Sequence, residues 1–398
     1  MANDIYEEPL RLRNVKMSTI RKMMDAAAKL KSEGKDVVAF TVGEPDFNTP
    51  QAIKDATADC LNENLTHYTS NRGRLDIREE VSKKILSDTG ILYNPEKEIL
   101  MTSSGAEAIN NALFGMINEG DEVILITPSF VSYEQTILMC GGVPVYLPLK
   151  QKDNFQIDKD ELESKVTTKT RFLIMNNPCN PTGGVLNDAS MNAIAEICVK
   201  YNLAVFSDEI YSQLIYDGLK FHSIAEYPGM RERTVMMNGF SKTYAMTGWR
   251  VGYLAMDERF MNNILRVHQY STTTGVTFIQ AALARTMNSA EVMADVDRMV
   301  KEFERRRNIV VEELSKIDGI SFVKPSGAFY VLINISRTGM TGEEFANRLL
   351  NEKYVSCVPA IAFGAEYGDY IRISFATGED NIRRGICRIK EFVDNNMK

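Results

Sequence analysis

The sequence has few of the residues that build metal centres or disulfide frameworks. It contains three histidines, His67, His222 and His268, and no two are four residues apart, so a histidine-based metal site is not expected. Its six cysteines include no C-x-x-C pair, and a chain of 398 residues can build a core without disulfides. This cysteine usage favours a reducing compartment, and we predict a cytoplasmic protein without a bound metal.

Long apolar runs and an excess of basic charge are also absent. Residues 1–8 carry acidic side chains and no apolar stretch follows them, so neither a secretion signal nor a membrane span is expected. The 53 acidic and 46 basic residues give a net charge of −7, which disfavours nucleic-acid binding. At 44% hydrophobic and 25% charged residues, the composition is typical of a soluble globular protein with room for a large and a small domain.

A repeated alternation of short apolar strands and helix-like segments begins near residue 98. The predicted strands are 98–102, 122–127, 143–147, 170–175, 204–207, 234–237 and 251–255. Between them, residues 106–116 and 188–200 have apolar side chains at helical spacing and are predicted as crossover helices. This pattern predicts an α/β fold whose large domain has three layers around a mostly parallel seven-stranded sheet.

The character of the chain changes after residue 285. Residues 291–317 predict a long amphipathic helix, with Arg305, Arg306 and Arg307 on its solvent face. Short strands at 321–323, 329–335, 354–358 and 370–375 and a helix at 342–352 follow, and residues 11–33 form a basic arm leading into a helix. We predict a smaller α+β domain built from the N-terminal arm and the C-terminal part, with segments 1–47, 48–285 and 286–398.

A lysine and an arginine follow the sixth predicted strand. Lys242 stands just beyond Gly239, and Arg250 precedes the next strand. Ligands of open parallel sheets bind beyond the carboxyl ends of the strands, so an amine nucleophile and an anion clamp there indicate a Schiff-base enzyme with a phosphorylated carbonyl partner. The alternative for Lys242 is an ordinary surface lysine in a turn.

Other polar residues follow neighbouring strands. Ser103 to Glu107 opens a helix and could cradle an anion, although a simple serine cap is the alternative. Asn180 stands between two prolines that stiffen its backbone, and Asp208 and Tyr211 follow the fifth strand, where Asp208 could pair with a cationic ring nitrogen. Arg372 lies mid-strand among apolar residues, which indicates a carboxylate partner.

Together these residues resemble the fold type I pyridoxal-phosphate aminotransferases. The motifs are Asn-Pro-x-Asn-Pro-Thr-Gly, Ser-Asp-Glu-Ile-Tyr and Ser-Lys-x-x-x-Met-x-Gly-Trp-Arg, and the resemblance is closest to the prokaryotic aspartate-aminotransferase-like subgroup. It extends from Val42 to Ala376, nearly the whole chain. The resemblance implies a homodimer with shared active sites that binds pyridoxal 5'-phosphate and acts on small amino and oxo acids.

The resemblance also implies a role for each residue. Lys242 would bind the cofactor aldehyde covalently and act as the base, Asp208 would pair with the ring nitrogen, and Asn180 and Tyr211 would bond the ring oxygen. Phe130 would stack on the ring. The phosphate would be held by Ser104, Gly105, Ala106, Ser241 and Arg250, with Tyr68 reaching in from a second subunit. Arg372, with Gly43 and Asn180 beside it, would bind the substrate α-carboxylate.

Two departures from the family pattern concern the substrate. Many close relatives have tryptophan where Phe130 stands, so a polar contact from an indole N–H is lost here. Some aspartate-preferring relatives have a lysine beside the phosphate cradle, whereas this chain has Glu107, which would repel a dicarboxylate if it points inward. These departures argue against aspartate as the donor.

The implied reaction is a ping-pong transfer of an amino group from an L-amino acid to a 2-oxo acid, with 2-oxoglutarate as the expected acceptor. A β-lyase on the same scaffold is the alternative within enzymes. A ligand-sensing module of a transcription regulator is the alternative outside them, but only about forty residues precede Gly43, too few for a DNA-binding domain.

Overall fold

The computed structural model describes residues 8–397. Residues 1–7, on which the expectation about a secretion signal mainly rests, lie outside this range. The α-helices are α1 (Thr19–Ser32), α2 (Gln51–Asn62), α3 (Leu75–Thr89), α4 (Gly105–Met116), α5 (Ser132–Met139), α6 (Lys159–Ser164), α7 (Asp188–Lys200), α8 (Glu258–Ser271), α9 (Thr277–Thr286), α10 (Ala290–Leu314), α11 (Gly342–Lys353) and α12 (Glu379–Asp394). No helix within residues 8–397 is both long and apolar enough to cross a bilayer.

The strands form three sheets. They are β1 (Val38–Ala39), β2 (Ile99–Thr102), β3 (Glu122–Thr127), β4 (Val143–Pro148), β5 (Thr170–Asn176), β6 (Ala204–Asp208), β7 (Thr234–Gly239), β8 (Gly252–Met256), β9 (Ser321–Phe322), β10 (Tyr330–Asn334), β11 (Val355–Ser356), β12 (Val358–Pro359) and β13 (Tyr370–Ser374). The large sheet has the order β2-β8-β7-β6-β5-β3-β4. Its β3–β4, β3–β5, β5–β6 and β6–β7 pairs are parallel, and only the two pairs that β8 makes, with β2 and β7, are antiparallel. The prediction of a mostly parallel seven-stranded sheet is confirmed.

Alternate residues of the central strands pack on opposite faces of this sheet. On β3, Ile124 and Ile126 join one buried cluster with side chains of α7, while Val123 and Leu125 join another with side chains of α4 and α8. Strands buried on both faces read as continuous apolar runs, as these do. The helices therefore cover both faces and form the outer layers of the three-layer α/β arrangement.

The small sheets join the two ends of the chain. Strand β1 pairs in parallel with β11, and β12, β13, β10 and β9 form an antiparallel sheet. The prediction of one strand at 354–358 is wrong, because β11 and β12 belong to different sheets, with Cys357 between them. The boundaries 1–47, 48–285 and 286–398 stay a prediction.

The long helix α10 departs from its predicted exposure pattern. Arg305 lies on the wet face, but Arg307 is fully buried and Arg306 is 7% exposed. The guanidinium of Arg307 bonds the Asp217 carboxylate at 2.7 Å and the carbonyl of Pro325 at 2.6 Å. The prediction of a solvent-facing arginine run is wrong for these two residues because ion pairs and carbonyls from distant segments replace water around them.

Candidate active site

A cavity of about 620 Å³ lies at the carboxyl edge of the large sheet, where segments of the small sheets close over it. Ligand pockets of α/β proteins form at this edge, since successive strands end there with polar residues. The cavity is lined by every site residue named from the sequence except Tyr68, namely Gly43, Ser104, Gly105, Ala106, Phe130, Asn180, Asp208, Tyr211, Ser241, Lys242, Arg250 and Arg372.

Lys242 follows the end of β7. Its side chain is half-buried and lines the cavity. Its ammonium donates to the carbonyl of Gly43 and lies 5.8 Å from the ring centre of Phe329. Burial is the main cause that lowers the pKa of Lys242 to about 8, although Glu44 and Asp208 oppose the shift. An amine with this pKa is partly neutral near pH 7, as a nucleophile or base needs to be.

Asp208 is the last residue of β6 and is 4% exposed. The hydroxyl of Tyr133 donates to its Oδ2, and the backbone N–H of Ile210 donates to its Oδ1 at 3.0 Å. Burial raises the pKa of Asp208 to about 6 even though these two bonds act to lower it. Sequence reasoning missed Tyr133, because its hydroxyl meets Asp208, 75 residues further along the chain, only in the folded structure.

Arg372 lies in the middle of β13 and is 2% exposed. It donates to Asn180 Oδ1 at 3.0 Å and to the carbonyl of Thr41 at 2.8 Å, and its guanidinium stacks 4.5 Å from the ring centre of Tyr330. Its Nε has no hydrogen-bond partner among residues 8–397. A buried guanidinium with a free N–H and no carboxylate partner of its own is suited to bind a carboxylate from a ligand.

Two tyrosines form the wall near Arg372. The hydroxyls of Tyr211 and Tyr330 lie 2.9 Å apart, and burial raises the pKa of both. A Cβ at Gly43 would lie 2.7 Å from the Tyr330 hydroxyl, so this position accepts only glycine without a shift of the wall. Sequence reasoning missed Tyr330 because its contact with Tyr211, 119 residues earlier in the chain, exists only in the folded structure.

The first residues of α4 form one end of the cavity. Ser104 precedes the helix with φ 101° and ψ 165°, and its side chain makes no capping bond to the helix. Arg250 lies in the connection between β7 and β8, has φ 56° and donates from Nη1 to the carbonyl of Thr247 at 2.9 Å. Uncapped helix N–H groups facing an arginine suit an anion.

Comparison with known proteins agrees with this geometry. The family model of aminotransferase class I and II matches residues 35–389. The chain belongs to this family. This aminotransferase is 41% identical over 381 residues to an aspartate aminotransferase of Pyrococcus abyssi and also 41% identical to aromatic-amino-acid aminotransferase 2 of Thermococcus litoralis. Each alignment covers 96% of this chain and 97% of the relative.

Solved structures of related enzymes share the fold of this aminotransferase. The aromatic aminotransferase of Pyrococcus horikoshii superposes with a TM-score of 0.88 at 39% identity, covering 93% of this chain and 99% of that one. The aspartate aminotransferase of Thermus thermophilus with maleate gives 0.92 at 33% identity, covering 97% and 100%. The α/β fold and the aminotransferase class are thereby established.

The structure of this aminotransferase bears on the predictions for Glu107 and Tyr68, which do not line the cavity. Glu107 does not line the cavity, and Ala106 does, so the condition under which Glu107 would repel a dicarboxylate is not met. The Glu107 carboxylate is instead bonded by His268 and Thr272. Tyr68 is 89% exposed and lies outside the lining of its own chain's cavity, so its role in a second subunit stays a prediction.

Proposed function

We propose that this aminotransferase transfers the amino group of an L-amino acid to a 2-oxo acid, with pyridoxal 5'-phosphate as cofactor. One observation carries the proposal: Lys242, with its pKa near 8, and the buried Arg372, with its unpartnered Nε, line the same cavity. A partly neutral amine and an unused guanidinium N–H match the two ends of an α-amino acid, its amino-bearing carbon and its carboxylate.

The residues present fit the proposed cofactor. Ser104 leaves the first N–H groups of α4 uncapped beside Arg250, which matches a phosphate group in position and charge. Asp208 offers a buried carboxylate for a ring nitrogen, and Phe130 offers an aromatic face. We infer that Gly105, Ala106 and Ser241 complete the phosphate site and that Asn180 and Tyr211 bond the ring oxygen.

When bound, pyridoxal phosphate supplies an aldehyde for amines and a ring that takes up the electron pair left at the substrate Cα. Arg372 binds the α-carboxylate and thereby orients the Cα–H bond. The neutral Nζ of Lys242 takes the proton from Cα, and Asp208 holds a proton on the ring nitrogen. Tyr133, whose hydroxyl donates to Asp208, keeps that carboxylate in place.

We further propose 2-oxoglutarate as the acceptor and a ping-pong order, in which the first oxo acid leaves before the second enters. The working unit would be a homodimer, and the compartment the cytoplasm. The relatives are named for aspartate and for aromatic substrates, and because Glu107 is turned from the cavity, its charge no longer argues against aspartate as the donor.

The test is a panel of L-amino acids with 2-oxoglutarate, followed by chromatography of the amino and oxo acid products. We expect glutamate together with the oxo acid of each accepted donor, and no product from Lys242→Ala, which also loses the visible absorbance of the lysine-bound cofactor. Lys220→Ala, which changes an exposed lysine outside the cavity, is the matched control. Wild-type turnover by Lys242→Ala would refute the proposal, as would ammonia and pyruvate formed from cysteine-type donors without any acceptor.

A further inference from the structure

Ser104 has a backbone conformation that non-glycine residues rarely adopt. Its φ of 101° and ψ of 165° lie in a region occupied almost only by glycine. Such a conformation is unfavourable for a residue with a side chain and persists only where the surroundings enforce it. The conformation matters for function, because Ser104 turns the chain from β2 into α4 at the proposed phosphate site.

A carboxylate outside the cavity holds the residue just before Ser104. Glu107 accepts a hydrogen bond from the backbone N–H of Ser103. The same carboxylate accepts from His268 Nδ1 at 2.7 Å, from Asn111 Nδ2 at 2.8 Å and from Thr272 Oγ1 at 3.0 Å. Four donors therefore converge on one carboxylate and fix both of its oxygens.

These donors connect the start of α4 to the end of α8. His268 is fully buried on α8, and Thr272 directly follows that helix. Burial acts to raise the pKa of Glu107, yet the bonds from His268 and Asn111 hold it below its usual value. Glu107 is thus a charged, rigidly held acceptor, and its charge is balanced by donors on the side away from the cavity.

Other contacts close the turn from the opposite side. The hydroxyl of Thr102 donates to the carbonyl of Ser104 at 3.0 Å, and a Cβ at Gly252 would lie 3.0 Å from the Ser104 carbonyl carbon. The backbone of β8 therefore presses directly on the turn. With Glu107 holding Ser103 and β8 packing against Ser104, the turn has little freedom to relax.

We propose that Glu107, fixed by His268 and Thr272, is a positioning residue that holds the turn at Ser104 in the geometry that binds the cofactor phosphate. The Glu107 carboxylate accepts from the N–H of Ser103, outside the cavity, and so does not cap the N–H groups at the start of α4. Those N–H groups are left for the anion. This inference rests on the proposed cofactor. It assigns to Glu107 a role in phosphate affinity and none in substrate charge selection.

The test compares a ligand with the phosphate to one without it. Dissociation constants of pyridoxal phosphate and of pyridoxal are measured on the apoprotein by equilibrium dialysis. Loss of a buried hydrogen bond to a charged group costs enough for about a tenfold change. Glu107→Ala should therefore weaken pyridoxal phosphate binding by about tenfold or more and leave pyridoxal binding unchanged.

Glu122→Ala is the matched control. Glu122 also accepts from two threonine hydroxyls, Thr167 at 2.6 Å and Thr170 at 3.3 Å, but it begins β3 at the opposite edge of the sheet. Glu122→Ala should change neither the dissociation constant of pyridoxal phosphate nor that of pyridoxal. Thr272→Val, which removes one donor with little change of shape, should give a smaller loss confined to pyridoxal phosphate, and it serves if Glu107→Ala does not fold.

The outcomes separate this inference from the proposed function. If the wild-type apoprotein binds neither ligand, the proposed cofactor is wrong. If it binds both, and Glu107→Ala and Thr272→Val bind pyridoxal phosphate as tightly as wild type, the positioning role is wrong. An equal loss for both ligands would also refute it, because a general structural defect does not distinguish the phosphate.

Discussion

At the scale of single residues, the surroundings of Lys242 decide its chemistry. The side chain leaves water for the cavity, where its ammonium lies 6.0 Å from the ring centre of Tyr211 and 5.8 Å from that of Phe329. The ammonium keeps one carbonyl partner, that of Gly43. Desolvation of the charged form explains the pKa near 8, and Arg372 and Arg250 add to the shift. A surface lysine would keep a pKa of about 10.4.

This difference predicts how fast the apoprotein captures pyridoxal phosphate as pH changes. Below pH 8 Lys242 is mostly ammonium and cannot attack, so the capture rate should rise by about tenfold per pH unit and level off above pH 8. Stopped-flow absorbance of apoprotein mixed with cofactor measures the rate. Nα-acetyllysine is the reference compound, and its rate of reaction with pyridoxal phosphate should keep rising toward pH 10. If the capture rate of the apoprotein rises in the same way, the buried environment assigned to Lys242 is wrong.

At the scale of one element, the end of β6 directs two neighbouring carboxyl groups to opposite sides. Successive side chains of a strand alternate, so Asp208 lines the cavity while Glu209 points away from it. Glu209 is 2% exposed and accepts from Ser207 at 2.9 Å and from Ser223 at 2.6 Å. Burial raises the pKa of Glu209 to about 8, against the lowering effect of these hydroxyls.

Stability should therefore depend on the protonation of Glu209. Its folded pKa of about 8 exceeds its ordinary value of 4.5, so its contribution is complete below pH 4.5 and is lost as pH rises through 8. Relative to Glu209→Gln, the wild type should lose unfolding free energy between pH 5 and 8, with a slope of up to about 1.4 kcal/mol per pH unit. Urea denaturation at each pH measures it.

Glu232→Gln, at an exposed position, is the control and should run parallel to the wild type. If the unfolding free energies of Glu209→Gln and wild type also stay parallel from pH 5 to 8, Glu209 does not carry a proton in the folded state, and its burial does not make stability depend on pH.

At the scale of the whole molecule, the cavity depends on segments from both ends of the chain. Gly43 precedes the large sheet, Arg372 lies near the carboxyl terminus, and Lys242 comes from the middle. Tyr68 is exposed and alone among the proposed site residues does not line this cavity. Among residues 8–397 the Tyr68 side chain has no hydrogen-bond partner, and it does not line the cavity of its own chain, so its proposed role requires a second copy.

The prediction is that Tyr68→Ala weakens pyridoxal phosphate binding by about tenfold through loss of a hydrogen bond to a charged group. In a monomer, truncation of a side chain that is 89% exposed should change nothing. Fluorescence titration gives the affinity, and sedimentation should give twice the chain mass of 44.8 kDa. Tyr201→Ala is the control, and wild-type affinity in Tyr68→Ala would remove Tyr68 from the site.

Much of the fold and of the site could be predicted from the sequence because their signals are local. Each strand of the large sheet is a short apolar run, and Asp208 and Lys242 follow such runs directly. What could not be predicted depends on distant partners. Tyr133 became a site residue only when α5 packed beside β6, and Arg306 and Arg307 became buried only when Asp46 and Asp217 reached them.

The sequence by itself determined where the strands lie along the chain and which reactive residues follow each of them. These signals are local, since apolar periodicity and turn residues act over a few positions. The tertiary structure alone decided where side chains point. Glu107 and Ala106 are neighbours on the first turn of α4, about 100° apart around its axis, so one faces α8 and the other faces the cavity. That orientation is set by how α4 packs against α8, so Glu107 does not face the cavity as a barrier to acidic substrates. Its role as a support for the phosphate site is the proposal that follows from this orientation.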